Sequence, residues 1–168
     1  NGVSKSFSMT GWRIGYGAGP EVLISAMVNI QSQSTSNACS VAQAAALAAL
    51  KGDQTFLNEW RTSFAKRRDQ MLELLLSIPN VTCVKPQGAF YLFPNMMAYL
   101  GTTRPDTGDR IATDVDLSNY LLESAGIAVM PGSAFGAPGF LRLSFAISAV
   151  DIEEGLKCLQ EGLQKLTP

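Results

Sequence analysis

The chain has 168 residues, of which 46% are hydrophobic and 16% are charged, and its formal net charge is −1. This composition is typical of a folded globular protein, and a charge so close to zero gives no reason to expect nucleic acid or an anionic membrane as a partner. The sequence has no histidine and only three cysteines, so this chain alone builds neither a zinc cluster nor a Ser/His or Cys/His nucleophile.

Glycine, serine and threonine are frequent in residues 1–19, which we expect to be irregular backbone or short strands that serve a site rather than a core. Helical spacing follows, with Pro20 suited to be the first residue of a helix, Asp53 suited to cap the longest helix and Ser148 suited to cap the last one. The predicted helices cover residues 20–30, 41–50, 53–77, 115–124 and 148–166. The predicted strands cover residues 81–84, 89–93, 127–130 and 141–146.

The order of these elements indicates two α/β portions, because helices come first and short strands then alternate with helices. The long helix is the natural bridge between the portions, and we place the boundary inside it, giving residues 1–65 and residues 66–168. The first residues carry neither an initiator methionine nor the charged and apolar regions of a signal peptide. We therefore expect them to lie inside a longer chain.

Lys5 and Arg13 are the first residues that point to a particular chemistry. A lone lysine in a loop is most often a surface charge, but small residues surround Lys5 and allow a backbone to approach a ligand closely. Arg13 follows in the same segment, and its planar guanidinium can bind two oxygens of a phosphate dianion at once. A lysine that can form a Schiff base, beside an arginine that can hold a phosphate, is what a pyridoxal phosphate site needs.

Other phosphate-binding patterns do not fit this sequence. A dinucleotide fingerprint starting at Gly15 requires glycine where Pro20 stands, and the P-loop ending Gly-Lys-Ser/Thr is absent. The basic run Lys66-Arg67-Arg68 would suit a phosphate-binding patch, but it lies inside an amphipathic repeat. A solvated helix face is the favoured interpretation of that run.

One segment resembles the lysine motif of class I aminotransferases, which are fold-type I pyridoxal phosphate enzymes, and it reads Ser4-Lys5-x-x-x-Met9-Thr10-Gly11-x-Arg13-x-Gly15-Tyr16. The resemblance implies that Lys5 holds the cofactor covalently and then moves the proton between the substrate Cα and the cofactor. It implies that Arg13 binds the cofactor phosphate. Many members of the family have a phosphate-binding serine where this chain has Gly2. The implied fold is α/β, with residues 1–65 ending the large cofactor-binding domain and residues 66–168 forming the small carboxy-terminal domain.

A second block resembles the carboxy-terminal motif of that family, and it runs through Pro131-Gly132-Ser133-Ala134-Phe135-Gly136 to Gly139-Phe140-Leu141-Arg142-Leu143-Ser144. Taken alone, Arg142 suits an exposed residue at a strand edge. The run around it is largely apolar, however, and there an arginine needs an anionic partner. The resemblance implies that Arg142 binds the substrate α-carboxylate. A third block, residues 86–91, also resembles the family, although core packing explains Phe90 and Tyr91 at least as well as substrate contact.

The resemblance implies a pyridoxal phosphate-dependent aminotransferase, with aspartate and 2-oxoglutarate as the preferred pair because residues 33–43 resemble bacterial aspartate aminotransferases. It further implies that the full-length enzyme is a homodimer and that this chain is its carboxy-terminal part. The cytoplasmic setting is indicated instead by the three cysteines, which are widely spaced and form no CxxC pair. The family's pyridine-nitrogen partner and ring-stacking residue lie upstream of the lysine. The alternatives are an aromatic or prephenate aminotransferase, a C–S lyase of the same fold, or a fragment without activity that serves partner contact.

Overall fold

The computed structural model describes residues 1–168, and its regular elements are five α-helices, three short strands and three 3-10 helices. The α-helices are α1 (Glu21–Ser34), α2 (Ser40–Lys51), α3 (Phe56–Leu76), α4 (Asp114–Ala125) and α5 (Ala149–Gln164). The strands are β1 (Tyr91–Leu92), β2 (Met130–Pro131) and β3 (Leu141–Ser144), and the 3-10 helices are Thr10–Trp12, Met97–Tyr99 and Gly132–Phe135. None of the helices combines the length and the apolar character that crossing a membrane requires.

The chain divides into two compact units, Asn1–Trp60 and Arg61–Pro168, and the division falls within α3. The sequence places a domain boundary between residues 65 and 66, which also lies within this helix. That assignment of residues 1–65 and 66–168 to two domains of an aminotransferase stays a prediction, since compactness alone does not identify the domains.

The first unit has a small buried core and two helices that begin close to where the sequence predicts. Pro20 is the residue before α1 rather than its first residue, because its ψ of 137° is extended although the ring holds φ near the helical value at −55°. Asp53 does not cap α3 directly: its carboxylate accepts the backbone N–H of Thr55 at 3.0 Å, and regular helix begins at Phe56. The buried apolar residues of this unit are Val3, Ala42 and Ala46.

The second unit is built on a three-stranded antiparallel sheet in the order β1-β3-β2, so β3 is the central strand. The strand predicted over 81–84 is wrong, because that segment makes only a single bridge between Thr82 and Asn95. The strand predicted over 127–130 is reduced to β2, since only Met130 and Pro131 pair with β3. A strand exists only where a neighbour satisfies its backbone groups, and the amino-acid pattern does not reveal that neighbour.

Helices α4 and α5 pack against each other, and their apolar residues share one core with those of the sheet. The hydroxyl of Tyr120 on α4 donates to the carbonyl oxygen of Gly162 on α5 at 2.8 Å. Ser148 caps α5 as predicted, because its hydroxyl accepts the N–H of Asp151 at 3.1 Å. The apolar residues that recur at helical spacing along α5 form part of the core, which includes Leu75, Leu92, Met96, Ile111, Leu117, Tyr120, Leu121, Leu141, Ile152, Leu156, Leu159 and Leu163.

Candidate active site

Lys5 and Arg13 lie on one loop, Gly2–Gly15, which we call the lysine loop. An antiparallel bridge between Gly2 and Gly15 closes its base, and the N–H of Tyr16 donates to the carbonyl of Asn1 at 2.8 Å. A Cβ on Gly15 would lie 3.1 Å from that carbonyl oxygen, closer than ordinary packing allows. The glycine therefore eases the close approach of the two ends of the loop.

Lys5 is in a tight turn whose backbone is fixed on both sides. The N–H of Phe7 donates to the carbonyl of Val3 at 3.2 Å, and the N–H of Ser8 donates to the carbonyl of Lys5 at 3.2 Å. Val3 is buried, with 1% of its surface exposed, and so anchors the turn in the unit. The Lys5 side chain, in contrast, is exposed. The turn thus presents an accessible amine on a backbone that is held in place.

Arg13 adopts the left-handed conformation, with φ of 52° and ψ of 49°. Ser8 also has a positive φ, 53°, so two strained non-glycine residues bracket the 3-10 helix Thr10–Trp12. Such a conformation costs on the order of 1–3 kcal/mol per residue and is found disproportionately at functional sites. The Nη1 of Arg13 donates to the carbonyl of Thr10 at 3.0 Å, which orients the exposed side chain.

The lysine loop has the donor set that pyridoxal phosphate requires. Lys5 supplies an accessible primary amine and Arg13 a guanidinium on the same closed loop. A guanidinium carries five N–H donors, and the bond to Thr10 uses only one of its nitrogens, so the others are free to bind a phosphate dianion. The residues present therefore fit this cofactor in both chemistry and accessibility.

Arg142 lies on the central strand β3 and not on a strand edge. Along β3, Leu141 and Leu143 are buried while Arg142 and Ser144 are half-buried, so the arginine is on the face opposite the core. Ser144 pairs with Tyr91 of β1, which makes Tyr91 a diagonal neighbour of Arg142 on that same face. The sheet register thus brings this tyrosine to the arginine.

The guanidinium of Arg142 lies over two aromatic rings. Its central carbon is 4.5 Å from the ring centroid of Tyr91 and 4.2 Å from that of Phe135. No carboxylate of the second unit pairs with it, although this unit holds several arginine–carboxylate pairs. Aromatic faces stabilise a cation without occupying the N–H groups at its edge. The rings therefore orient the guanidinium of Arg142 and leave its N–H groups available to donate to a carboxylate.

The 3-10 helix Gly132–Phe135, here called the 132–135 helix, carries one of these rings. Its Gly132 is buried and donates its N–H to the carbonyl of Phe140 at 2.8 Å. The N–H of Ser133 donates to the carboxylate of Asp114 at 2.6 Å, and Asp114 is itself only 3% exposed. A Cβ on Gly132 would overlap the backbone of Phe140 at 2.8 Å, so the Gly/Pro-rich block has a packing reason for this glycine.

Sequence reasoning missed two residues around Arg142. The aromatic Phe135 was part of the motif but had no assigned role, and Asp114 lay just outside the predicted helix 115–124. The sequence does contain a signal for the start of α4, because Thr113 and Asp116 match a capping box. That capping box forms in the structure and places Asp114 in the first turn of the helix. Tyr91 does not serve core packing alone, since its ring contacts Arg142.

The basic run at 66–68 belongs to the surface of α3. Arg68 donates to Asp69 at 2.8 Å, Arg67 lies over the ring of Phe64 at 5.4 Å, and Lys66 is exposed. Lys85 also pairs with Asp69 at 2.9 Å. These contacts favour the solvated-face interpretation over a phosphate-binding patch.

Curated relatives match nearly the whole chain. A probable aspartate/prephenate aminotransferase of Aquifex aeolicus is 48% identical over 168 residues, which is 99% of this chain and 41% of that protein. An aspartate aminotransferase of Rhizobium meliloti is 48% identical over 167 residues, which is 99% of this chain and 40% of that protein. The chain therefore spans about two fifths of the length of the relatives it matches.

Solved structures agree with these sequence matches. The crystal structure of the aspartate aminotransferase from Rhizobium meliloti superposes with a TM-score of 0.92 at 47% identity, covering 99% of this chain and 42% of that one. The aromatic aminotransferase from Pyrococcus horikoshii superposes with a TM-score of 0.85 at 34% identity, covering 98% of this chain and 42% of that one. The predicted α/β aminotransferase fold is thereby confirmed. The family model for aminotransferases of class I and II matches residues 1–159, and the chain belongs to that family.

Proposed function

We propose that this chain is the carboxy-terminal part of a pyridoxal phosphate-dependent aminotransferase that transfers the amino group between L-aspartate and 2-oxoglutarate. The observation that carries the proposal is Arg142, a half-buried arginine that lies over two aromatic rings and has no carboxylate partner in its unit. Every substrate of such a reaction brings an α-carboxylate. The relatives named above, two of them aspartate aminotransferases by name, support this choice of reaction.

The lysine loop supplies the groups that hold the cofactor. Bound pyridoxal phosphate would supply a carbonyl carbon that takes up the amino group and a ring that withdraws electrons from the substrate Cα. Lys5 is the covalent anchor, and its Nζ would remove the proton from the substrate Cα and deliver it to the cofactor. Arg13 binds the phosphate through charge-assisted hydrogen bonds.

Arg142 binds the substrate α-carboxylate. Its guanidinium forms two parallel hydrogen bonds with the two oxygens, which fixes the direction of the amino acid as well as its position. A simple amine lacks that carboxylate and leaves a desolvated charge unpaired, so the same residue makes the site reject amines. Amino acids and 2-oxo acids share this group, and one clamp therefore serves both halves of a ping-pong reaction.

Substitution of the anchor tests the proposal in the complete enzyme. Lys5→Ala should abolish transamination and the visible absorbance of the lysine-bound cofactor, whereas Lys51→Ala, a change at an exposed lysine at the end of α2, should preserve both. Arg13→Ala should weaken cofactor binding by about tenfold or more, because it removes charge-assisted hydrogen bonds worth roughly 1.5–3 kcal/mol. Full activity of Lys5→Ala, with borohydride labelling of another lysine, would sink the assignment.

A second candidate substrate comes from the printed name of the Aquifex aeolicus relative, which joins aspartate with prephenate. Steady-state assays of the complete enzyme with aspartate, prephenate and aromatic amino acids separate the candidates. A kcat/KM for aspartate at least as high as for the others would support the aspartate assignment. A clear preference for aromatic amino acids would replace it.

The complete enzyme is expected to be a cytoplasmic homodimer. Helix α1 leaves a surface for further contacts, since none of its residues is buried and Val22 is 85% and Ile30 71% exposed. Such a surface suits coverage by the remainder of the enzyme or by a second copy of it. The three free cysteines, Cys39, Cys83 and Cys158, are in keeping with a reducing compartment.

A further inference from the structure

We propose that Asp114 is a positioning residue for Arg142, acting through the 132–135 helix and the ring of Phe135. The inference rests on the proposed function, in which Arg142 binds the substrate α-carboxylate. Asp114 does not contact Arg142 itself. It holds the segment that places one of the two rings over the guanidinium.

Asp114 is a buried residue whose side chain bonds to a backbone group of the 132–135 helix. Only 3% of its surface is exposed, and its Oδ2 accepts the N–H of Ser133 at 2.6 Å. A buried charge is stable only when hydrogen bonds replace its hydration. Asp114 is also the first residue of α4, where the free N–H groups and the dipole of the helix favour an anion. The carboxylate therefore ties α4 to the 132–135 helix at a fixed point.

The 132–135 helix and the ring of Phe135 connect the hydrogen bond of Asp114 to Arg142. Ser133 and Phe135 belong to the same 3-10 helix, and the ring centroid of Phe135 is 4.2 Å from the central guanidinium carbon of Arg142. Phe135 is 47% exposed, so packing against its side chain restrains it only in part. Its position depends on the backbone that carries it. That backbone is fastened by Asp114 at one point and by the Gly132 bond to Phe140 at another.

Loss of the hydrogen bond between Asp114 and Ser133 should leave Arg142 in place but hold its guanidinium less firmly. The ring of Tyr91, carried by β1, would still lie against Arg142. The ring of Phe135 would be held less firmly, and the guanidinium plane would sample more orientations. Bidentate binding of a carboxylate depends on the direction of that plane, so affinity for every substrate falls together.

Asp116 provides a matched control on the same helix turn. Its carboxylate accepts the N–H of Thr113 at 2.8 Å and that of Ala112 at 3.1 Å, which caps α4 without touching the 132–135 helix. Asp114 and Asp116 are thus two acidic residues at one helix start, of which Asp114 accepts a hydrogen bond from the 132–135 helix and Asp116 accepts hydrogen bonds from Ala112 and Thr113. A substitution at Asp116 therefore shows how weakening the start of α4 alone changes KM and the melting temperature.

The experiment compares Asp114→Ala, Asp114→Asn and Asp116→Ala in the complete, cofactor-loaded enzyme. Asp114→Ala should raise KM for both aspartate and 2-oxoglutarate by about three- to tenfold, with kcat and the cofactor dissociation constant changed far less. Asp114→Asn keeps an acceptor oxygen for Ser133 and should restore most of the wild-type KM. Asp116→Ala should lower the melting temperature and leave KM unchanged. Equal rises of KM in Asp114→Ala and Asp116→Ala would overturn the proposal.

A double-mutant cycle with Phe135→Leu tests the path itself. If Asp114 acts through Phe135, KM of the double variant should be hardly higher than KM of Phe135→Leu alone. If the two residues act independently, the fold-changes in KM of the single variants would multiply in the double variant, and that result would contradict the proposal. Should Asp114→Ala fail to fold, Ser133→Pro removes the same hydrogen bond from the donor side, and an unchanged KM in that variant counts against the inference.

Arg142→Lys, assayed beside these variants, distinguishes the role of Arg142 in binding the carboxylate from the role of Asp114 in positioning it. An unchanged KM in Arg142→Lys means that the carboxylate clamp is wrong. A raised KM in Arg142→Lys together with an unchanged KM in Asp114→Ala means that only the role of Asp114 is wrong.

Discussion

Replacement of Arg142 by lysine is the sharpest test of carboxylate binding by Arg142. It keeps a positive charge at this position and removes the two parallel N–H groups of the guanidinium. Lysine offers a point charge where arginine offers two parallel N–H groups, so one charge-assisted hydrogen bond to the substrate is lost. Such a bond is worth roughly 1.5–3 kcal/mol. With about 1.4 kcal/mol for each factor of ten, KM should rise about tenfold to a hundredfold. The rise should be similar for aspartate and 2-oxoglutarate, since both present the α-carboxylate.

Stability should change little in the same variant. The guanidinium of Arg142 lies 4.5 Å and 4.2 Å from the ring centroids of Tyr91 and Phe135, and a lysine ammonium retains part of that attraction. Cation–π contacts at partly exposed sites are worth about 0.5–1 kcal/mol each, so the change in the free energy of unfolding stays within about 1 kcal/mol. A large rise of KM in a variant that melts like the wild type is therefore the expected signature.

Arg104→Lys is the matched control for this experiment. Arg104 also lies over an aromatic ring, that of Tyr120 at 5.4 Å, but its guanidinium is bonded to Asp106 at 2.8 Å and to Glu123 at 2.9 Å. The same substitution there should lower the melting temperature and leave KM unchanged. Steady-state kinetics and thermal melts of both variants decide the matter. A normal KM in a folded Arg142→Lys enzyme would refute the clamp, and a loss confined to dicarboxylic substrates would assign Arg142 to side-chain recognition.

Two further predictions concern stability. Tyr120→Phe removes the hydroxyl that donates to Gly162 at 2.8 Å; because the N–H of Lys165 also donates to that carbonyl at 3.3 Å, urea unfolding should show a loss of only about 1 kcal/mol. The pKa of Asp69 falls from 3.8 to about 2, mainly because Arg68 donates a hydrogen bond to its carboxylate and secondly because Lys85 does so. The contribution of the ionised Asp69 to the free energy of unfolding is therefore complete above pH 3.8 and is lost as the pH falls towards 2. The difference in urea midpoint between wild type and Asp69→Asn should therefore narrow below about pH 4, and a constant difference would contradict this pairing.

Helices were far more predictable from the sequence than strands. The apolar stripe of α5 and its Ser148 cap follow from local spacing and from one side-chain hydrogen bond, both of which lie within a few residues of one another. The sheet depends on distant partners instead. Residues 81–84 have a strand-like composition, but only Thr82 finds a partner, at Asn95. The amino-acid pattern records how a segment would sit in a sheet and not which segment lies beside it.

The site was predictable in its charged residues and not in what surrounds them. Lys5, Arg13 and Arg142 could be proposed from residue chemistry and motif, and their roles stay predictions. The position of Arg142 on the central strand depends on the pairing of β3 with both neighbours, which only the fold reveals. Asp114 was hidden for a similar reason, because its partner Ser133 belongs to a different element and no local pattern joins the two.

Arg104 and Arg142 belong to the same unit but have different surroundings. Arg104 directs its guanidinium to Asp106 and Glu123, and its hydrogen bond keeps the pKa of Asp106 well below the usual range. A substrate carboxylate could bind there only after displacing these carboxylates. Arg142 has aromatic rings in their place, which stabilise its charge through their faces and compete for none of its N–H groups. Binding a substrate carboxylate at Arg142 therefore requires no ion pair to break, and the rings restrict the guanidinium before the substrate arrives. An arginine that is oriented in this way loses less entropy on binding than a free surface arginine, which would be the physical advantage of the two rings if Arg142 binds the carboxylate as proposed.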